Sequence, residues 1–187
     1  MHIETIIPFE PRQRLGFALK RAFEKVDDWA LVLDHDVFLS LNPLWYEICL
    51  NAIKKLGYQA GWITCYTNNI GCPLQKNHLH GADSAESTDM KYQFYIAEDL
   101  YKKNRGQILD ITNEIKKHPL SGFFMLTHRQ AFDRVMEQFE LKDDKFIGFD
   151  TWFSARLVEL GYKIYIMQDL YVYHGYKRLW KNKEWGK

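Results

Sequence analysis

The sequence has almost no excess charge: lysines and arginines number 25 and aspartates and glutamates 24. With no basic field over the chain, nucleic acid is not an expected partner. It also lacks any run of about 18 apolar residues, the length that a membrane-spanning helix requires. The opening Met-His-Ile-Glu has neither the basic region nor the apolar stretch of a secretory signal. Cysteine is scarce and odd in number: Cys49, Cys65 and Cys72. Such a set predicts reduced thiols in a cytoplasmic protein, not a disulfide framework. Internal repeats and low-complexity linkers are absent too. What remains is a chain of 187 residues that is 47% hydrophobic and 16% aromatic, enough for one domain to build its own core.

The apolar pattern predicts an α/β order. Residues 3–8 (IETIIP) read as a short buried strand stopped by Pro8. Leu15, Ala18, Leu19, Ala22, Phe23 and Val26 recur at helical spacing, which predicts a helix over 12–26. Residues 29–33 (WALVL) form a continuous apolar run, the mark of a strand covered on both faces. Strand, helix, strand in this order predicts a parallel unit. A second helix opens at Pro43 and ends at Gly57, and residues 60–65 (AGWITC) form the next strand. Residues 66–90 read as a long polar loop, a length that in a small domain signals function or disorder. Further on, the pattern predicts a helix over 91–104, a strand over 122–127, helices over 129–139 and 151–160, and strands over 163–167 and 170–173. The expected architecture is one α/β domain, residues 1–175, with a mostly parallel, twisted central sheet flanked by helices. Residues 176–187 form a separate tail carrying five cations and two tryptophans.

The densest chemistry follows the second strand, in LVLDHDVFL at 31–39. Ligands of open parallel sheets bind beyond the carboxyl ends of the strands. Asp34 and Asp36 share a side if extended geometry persists, and two converging carboxylates need a compensating cation. A hard cation such as magnesium or manganese takes oxygen ligands and leaves positions open for phosphate. The plain alternative is a pair of solvated acids closing a strand.

Three later segments join this one: LSGFFMLTHR at 120–129, FIGFDTWFSARLVELGY at 146–162 and KIYIMQDLYVYHGY at 163–176. Their order resembles that of family 2-type glycosyltransferases of the GT-A fold. Those enzymes have an apolar strand ending in Asp-x-Asp and a glycine-containing strand. An acid-bearing helix start and a late histidine then follow. The resemblance covers residues 29–65 and 119–176, with a short N-terminal, nucleotide-binding half.

The resemblance implies a metal-dependent, inverting transfer of a sugar to an acceptor hydroxyl. The donor would be UDP- or GDP-linked, the acceptor a saccharide or a lipid-linked sugar, and the cofactor Mn2+ or Mg2+. It assigns Asp34, Asp36 and His174 to the metal and diphosphate, and Asp150 to the catalytic base. Phe149 stands where the family has a second acid. Asp150 also reads as an N-cap for the helix after it. Ser121 and Gly122 would line the donor sugar, and Gly122 would admit close approach to the backbone. Arg156 reads as a phosphate neighbour or a surface ion pair. Residues 7–16, with Pro8, Arg12 and Arg14, would serve the nucleotide. The tail would supply Lys177 and Arg178 to the leaving phosphate as a lid, or rest on an anionic membrane surface as a peripheral contact.

Other readings stay open. The same LVLDHDVFL fits a haloacid dehalogenase-type phosphatase with Asp34 as nucleophile, Thr64 or Thr67 as its later hydroxyl and Asp143-Asp144 as a late acidic pair. Cys65, Cys72, His78 and His80 offer a loosely spaced zinc set. A shortened donor site would leave a non-catalytic nucleotide-sugar or glycan-binding domain, with Trp29, Trp45, Trp62 and Trp152 as flat faces for sugar rings.

Overall fold

Trp29–Leu33 (β2) is buried at every position, and the sheet is built around it. The computed structural model describes residues 2–9, 14–80, 87–140 and 148–175. Ile3–Ile6 (β1) lies parallel to β2, joined to it through the helix Leu15–Phe23 (α1). This confirms the parallel unit expected at the N-terminus. Next come Val37–Phe38 (β3), the helix Trp45–Leu56 (α2) and Ala60–Thr67 (β4). Met90–Asn104 (α3), Ile108–Asp110 (β5) and Phe124–His128 (β6) follow. Arg129–Met136 (α4), Phe149–Glu159 (α5) and Lys163–His174 (β7) end the described chain.

The sheet order is β1-β2-β6-β4-β7-β3, with β5 also paired to β7. It is mixed, which corrects the mostly parallel expectation. The pairs β1–β2 and β4–β7 are parallel, while β6 runs antiparallel to both its neighbours. Strands β3 and β5 are antiparallel to β7. An apolar run reports burial on both faces but not direction, so β6 looks the same in sequence either way.

Alternation along β2 divides the core. Ala30 and Val32 face α1, α4 and α5, packing with Leu19, Phe23, Phe132 and Phe153. Trp29, Leu31 and Leu33 face α2 through Ile48, Ala52 and Ile53. Each large side chain buried this fully contributes ~1.5–3 kcal/mol. A third cluster seats α3 on β7 through Ile96, Leu100 and Tyr171. Helices therefore cover both faces of one open sheet. Gly57 and Gly161 terminate α2 and α5 at φ of 61° and 86°, a backbone region that favours glycine.

Strand β7 is one strand where the apolar pattern suggests two. Met167 pairs with Cys65, but Tyr171 pairs with Tyr66, so Gln168, Asp169 and Leu170 bulge out of register. Among the described residues no helix is long and apolar enough to cross a membrane.

Candidate metal centre and adjoining pocket

Strand β2 stays in the sheet one residue past its end, with Asp34 N–H donating to Phe123 O at 3.1 Å. The chain then turns, Val37 N–H donating to Asp34 O, and enters β3. In β3, Val37 pairs with His174, the last residue of β7. This two-residue strand is what brings the end of β2 against the end of β7. Gly175 N–H donates to Asp36 O at 2.9 Å and closes the junction.

The three residues that the resemblance names together meet here. His174 Nε2 lies 3.1 Å from Asp36 Oδ1 and 3.5 Å from Asp34 Oδ2. One ligand atom from each of the three lies within 4.8 Å of the others. His174 and Asp36 are buried, while Asp34 is open to solvent. The imidazole is held from behind: its Nδ1 faces Asn69 O at 3.3 Å, and its backbone N–H donates to Asn68 Oδ1 at 2.7 Å. Phe123 stacks on the ring at 5.5 Å. With Nδ1–H on a carbonyl, Nε2 is the nitrogen turned to the carboxylates, the orientation common in metal-binding histidines.

The three groups are electrostatically coupled. Burial alone would lower the His174 pKa, but the Asp34 and Asp36 carboxylates outweigh it and push it up to about 9. Burial raises Asp36, yet the His174 contact holds its carboxyl below the usual range. A protonated imidazole is thus the counter-charge to the acid pair. Two carboxylate oxygens and one imidazole nitrogen suit manganese well and magnesium less so.

A small cavity of about 130 Å³ adjoins the cluster through Asp34. Pro8, Gly122, Asp150, Phe149 and Trp62 also line it. Asp150 stands in the first turn of α5, and Gly148, not Asp150, is the N-cap. Its Oδ2 accepts from Gly122 N–H at 2.9 Å and its Oδ1 from Thr151 N–H at 2.8 Å. Burial pushes its pKa up and the Asp34 charge adds to this, against the two backbone bonds. A Cβ on Gly122 would sit 3.3 Å from Asp150 Cβ, so the close approach depends on glycine.

Other candidates are placed elsewhere. Ser121 does not line the cavity. Its N–H donates to Gln75 Oε1, and its Oγ accepts from Cys72 N–H. Arg14 is exposed ahead of α1 and does not line the cavity either. Arg156 is paired with Glu159 on α5. Lys177, Arg178, Arg12 and the Asp143-Asp144 pair lie outside the described residues.

The zinc set does not assemble. Cys65 is buried within β4, and the Cys72 thiol faces His118 O. His78 meets Pro73 O, and His80 sits between Asn77 and Asp99. Among the described residues, Asp34, Asp36 and His174 are the group of three or more side chains able to hold a metal. Thr64 and Thr67 are fully buried in β4, and β6 separates that strand from β2. Neither threonine is therefore a sheet neighbour of Asp34. Trp29 is a core residue and offers no face to a sugar, while Trp62 is fully buried and borders the cavity beside Asp34.

Sequence reasoning missed Asn68, Asn69, Phe123 and Gly175. The Asn-Asn pair after an apolar strand was a usable signal, since buried amides need partners.

No family model, curated protein or solved structure matches this chain.

Proposed function

We propose that this chain is a metal-dependent glycosyltransferase of the GT-A type, acting on a UDP- or GDP-linked sugar and inverting the anomeric carbon. One observation carries the reading: Asp34 belongs both to the Asp34–Asp36–His174 cluster and to the cavity that holds Asp150. The Asp34–Asp36–His174 cluster and the half-buried Asp150 carboxylate therefore flank one space.

Asp34, Asp36 and His174 would hold a divalent cation, which would supply positive charge for a leaving nucleoside diphosphate. The chain's own residues do the rest. Asp150 accepts the proton of the acceptor hydroxyl as its oxygen bonds to the anomeric carbon. The bond from that carbon to the diphosphate oxygen breaks, and its electron pair leaves with the diphosphate. Gly122 N–H holds Asp150 in place, and its missing side chain lets the carboxylate approach the backbone that closely. The raised pKa of Asp150 makes it a better proton acceptor than an exposed aspartate. Asn69 O fixes the imidazole so that Nε2 stays aimed at the acids.

The test is hydrolysis of UDP- and GDP-sugars, followed by release of the nucleotide with and without Mn2+. The reading expects Mn2+-dependent release from one donor class and its loss in Asp150→Asn. Release that ignores both Mn2+ and Asp150 would remove the transferase reading. Mn2+-dependent nucleotide binding with no turnover would favour the non-catalytic sugar-nucleotide-binding domain instead.

A further inference from the structure

A second cavity, of about 410 Å³, lies between α2 and the end of α3. Its volume falls in the ~300–1,000 Å³ range of small-molecule pockets. It shares no lining residue with the Asp34–Asp150 cavity. Its floor is the bulge in β7, where three residues fall out of register with β4. Such bulges re-aim side chains, and Asp169 from this one lines the cavity.

Asp169 is only 4% exposed. Its Oδ2 accepts from Gly106 N–H at 2.7 Å. Among the described residues it has no ion pair. A buried carboxylate so thinly supplied is costly, and the fold spends an irregular strand to place it there. Burial raises its pKa, opposed by its backbone bonds and by the charges of Lys55 and Arg105.

The rest of the lining narrows the ligand. Glu47 and Asp169 disfavour an anion, while Lys55 and Arg105 disfavour a cation. A wholly apolar molecule would give the Asp169 carboxylate no donor beyond its backbone partners. A neutral polyol meets every term. Its hydroxyls both donate and accept, so they can meet the Glu47 and Asp169 carboxylates as well as the Lys55, Arg105 and Asn51 donors among the lining. Its C–H face meets Leu44, Ile48, Ala52 and Met167.

We infer that this groove is a saccharide-binding site, independent of the cation cluster, with Asp169 and Asn51 as its hydrogen-bonding residues and the α2 aliphatic side chains under the ring.

The test is an NMR titration of the uniformly 15N-labelled full chain. The probes are glucose, galactose, mannose, N-acetylglucosamine, maltose and lactose, with acetate and phosphate as charged controls. The expected result is saturable shifts at the Ala52, Gly106, Ile108 and Asp169 amides with at least one sugar. A disaccharide that binds more tightly than its monosaccharide supports a glycan as the ligand, and equal affinities support a single free ring. Asn51→Leu, at an exposed position on α2, should weaken binding at least tenfold. Asp169→Asn keeps an acceptor for Gly106 N–H and should weaken it similarly. Asp36→Ala should leave these shifts in place, so failure of the transferase reading would not count against this one. Shifts from acetate or phosphate instead of sugars would overturn the proposal. So would the absence of saturable shifts, or sugar shifts that survive both groove variants.

Discussion

Adding one methyl group at Gly175 separates the proposed cation binding at Asp36 from the stability of the fold. A Cβ there would lie 3.2 Å from Asp36 Oδ2, 3.3 Å from its Cβ and 3.5 Å from its backbone oxygen. All three contacts are with Asp36, which is buried and anchored to His174. Two effects compete in folding. Restricting the unfolded chain stabilises by ~0.4–1 kcal/mol, while tight packing of this degree costs toward the low end of ~1–3 kcal/mol. Gly175→Ala should therefore change folding stability by less than about 1 kcal/mol. The carboxylate has less room, because yielding by a few tenths of an ångström moves Oδ2 off its place. Displacing the support of a metal ligand typically costs ~10–100-fold in affinity. The expected outcome is a urea midpoint close to wild type in EDTA, with Mn2+ affinity in calorimetry reduced about tenfold. Unchanged Mn2+ affinity in a normally folded variant would refute the reasoning, because Asp36 would then not be a ligand.

Further outcomes follow from the same geometry. Gly61→Ala places a Cβ 2.7 Å from both Leu157 Cδ2 and Tyr162 Cβ, and the tyrosine Cβ cannot swing away. Urea denaturation should show a loss of ~1–3 kcal/mol, and no loss would mean that α5 packs differently on β4. His128 caps α4 by accepting Ala131 N–H at Nδ1 and faces Tyr58 O through Nε2; burial lowers its pKa. Its folded pKa lies below the unfolded value of ~6.5, so the unfolded state binds more protons in that window. Stability should be full above about pH 6.5 and fall as pH drops below it. Urea midpoints at about pH 7.5 and 5.5 should differ less in His128→Asn than in wild type; equal differences would clear His128. Asp150→Asn should keep Mn2+-dependent nucleotide binding and lose ~10²–10⁴-fold in turnover, the usual worth of a general base. Steady-state kinetics would contradict that role if turnover were unchanged.

The sequence carried the fold wherever burial was continuous or periodic. WALVL marked β2 to the residue because no position in it is exposed. Spacing marked α2, and Gly57 its end. Direction was not encoded in this way, so antiparallel β6 was indistinguishable from a parallel strand. Strands β3 and β5 have two and three residues, too few to show a period. Yet β3 makes the site, because its pairing with His174 is a contact across most of the chain. The acid pair was legible at Asp34 and Asp36, and the late histidine came from the resemblance. The resemblance assigned Ser121 to the donor sugar, but its bonds to Gln75 and Cys72 turn it into a brace. Partners of that kind depend on tertiary packing, which local pattern does not hold.

The central claim is that the Asp34–Asp36–His174 cluster binds a nucleoside diphosphate through a divalent cation. Calorimetric titration of UDP and GDP, with and without Mn2+, tests it most directly when repeated on Asp36→Ala. The account predicts that one nucleotide binds only with Mn2+ and that the variant loses that binding while staying folded. Failure of both nucleotides to bind wild type with Mn2+, or equal binding by Asp36→Ala, would contradict it.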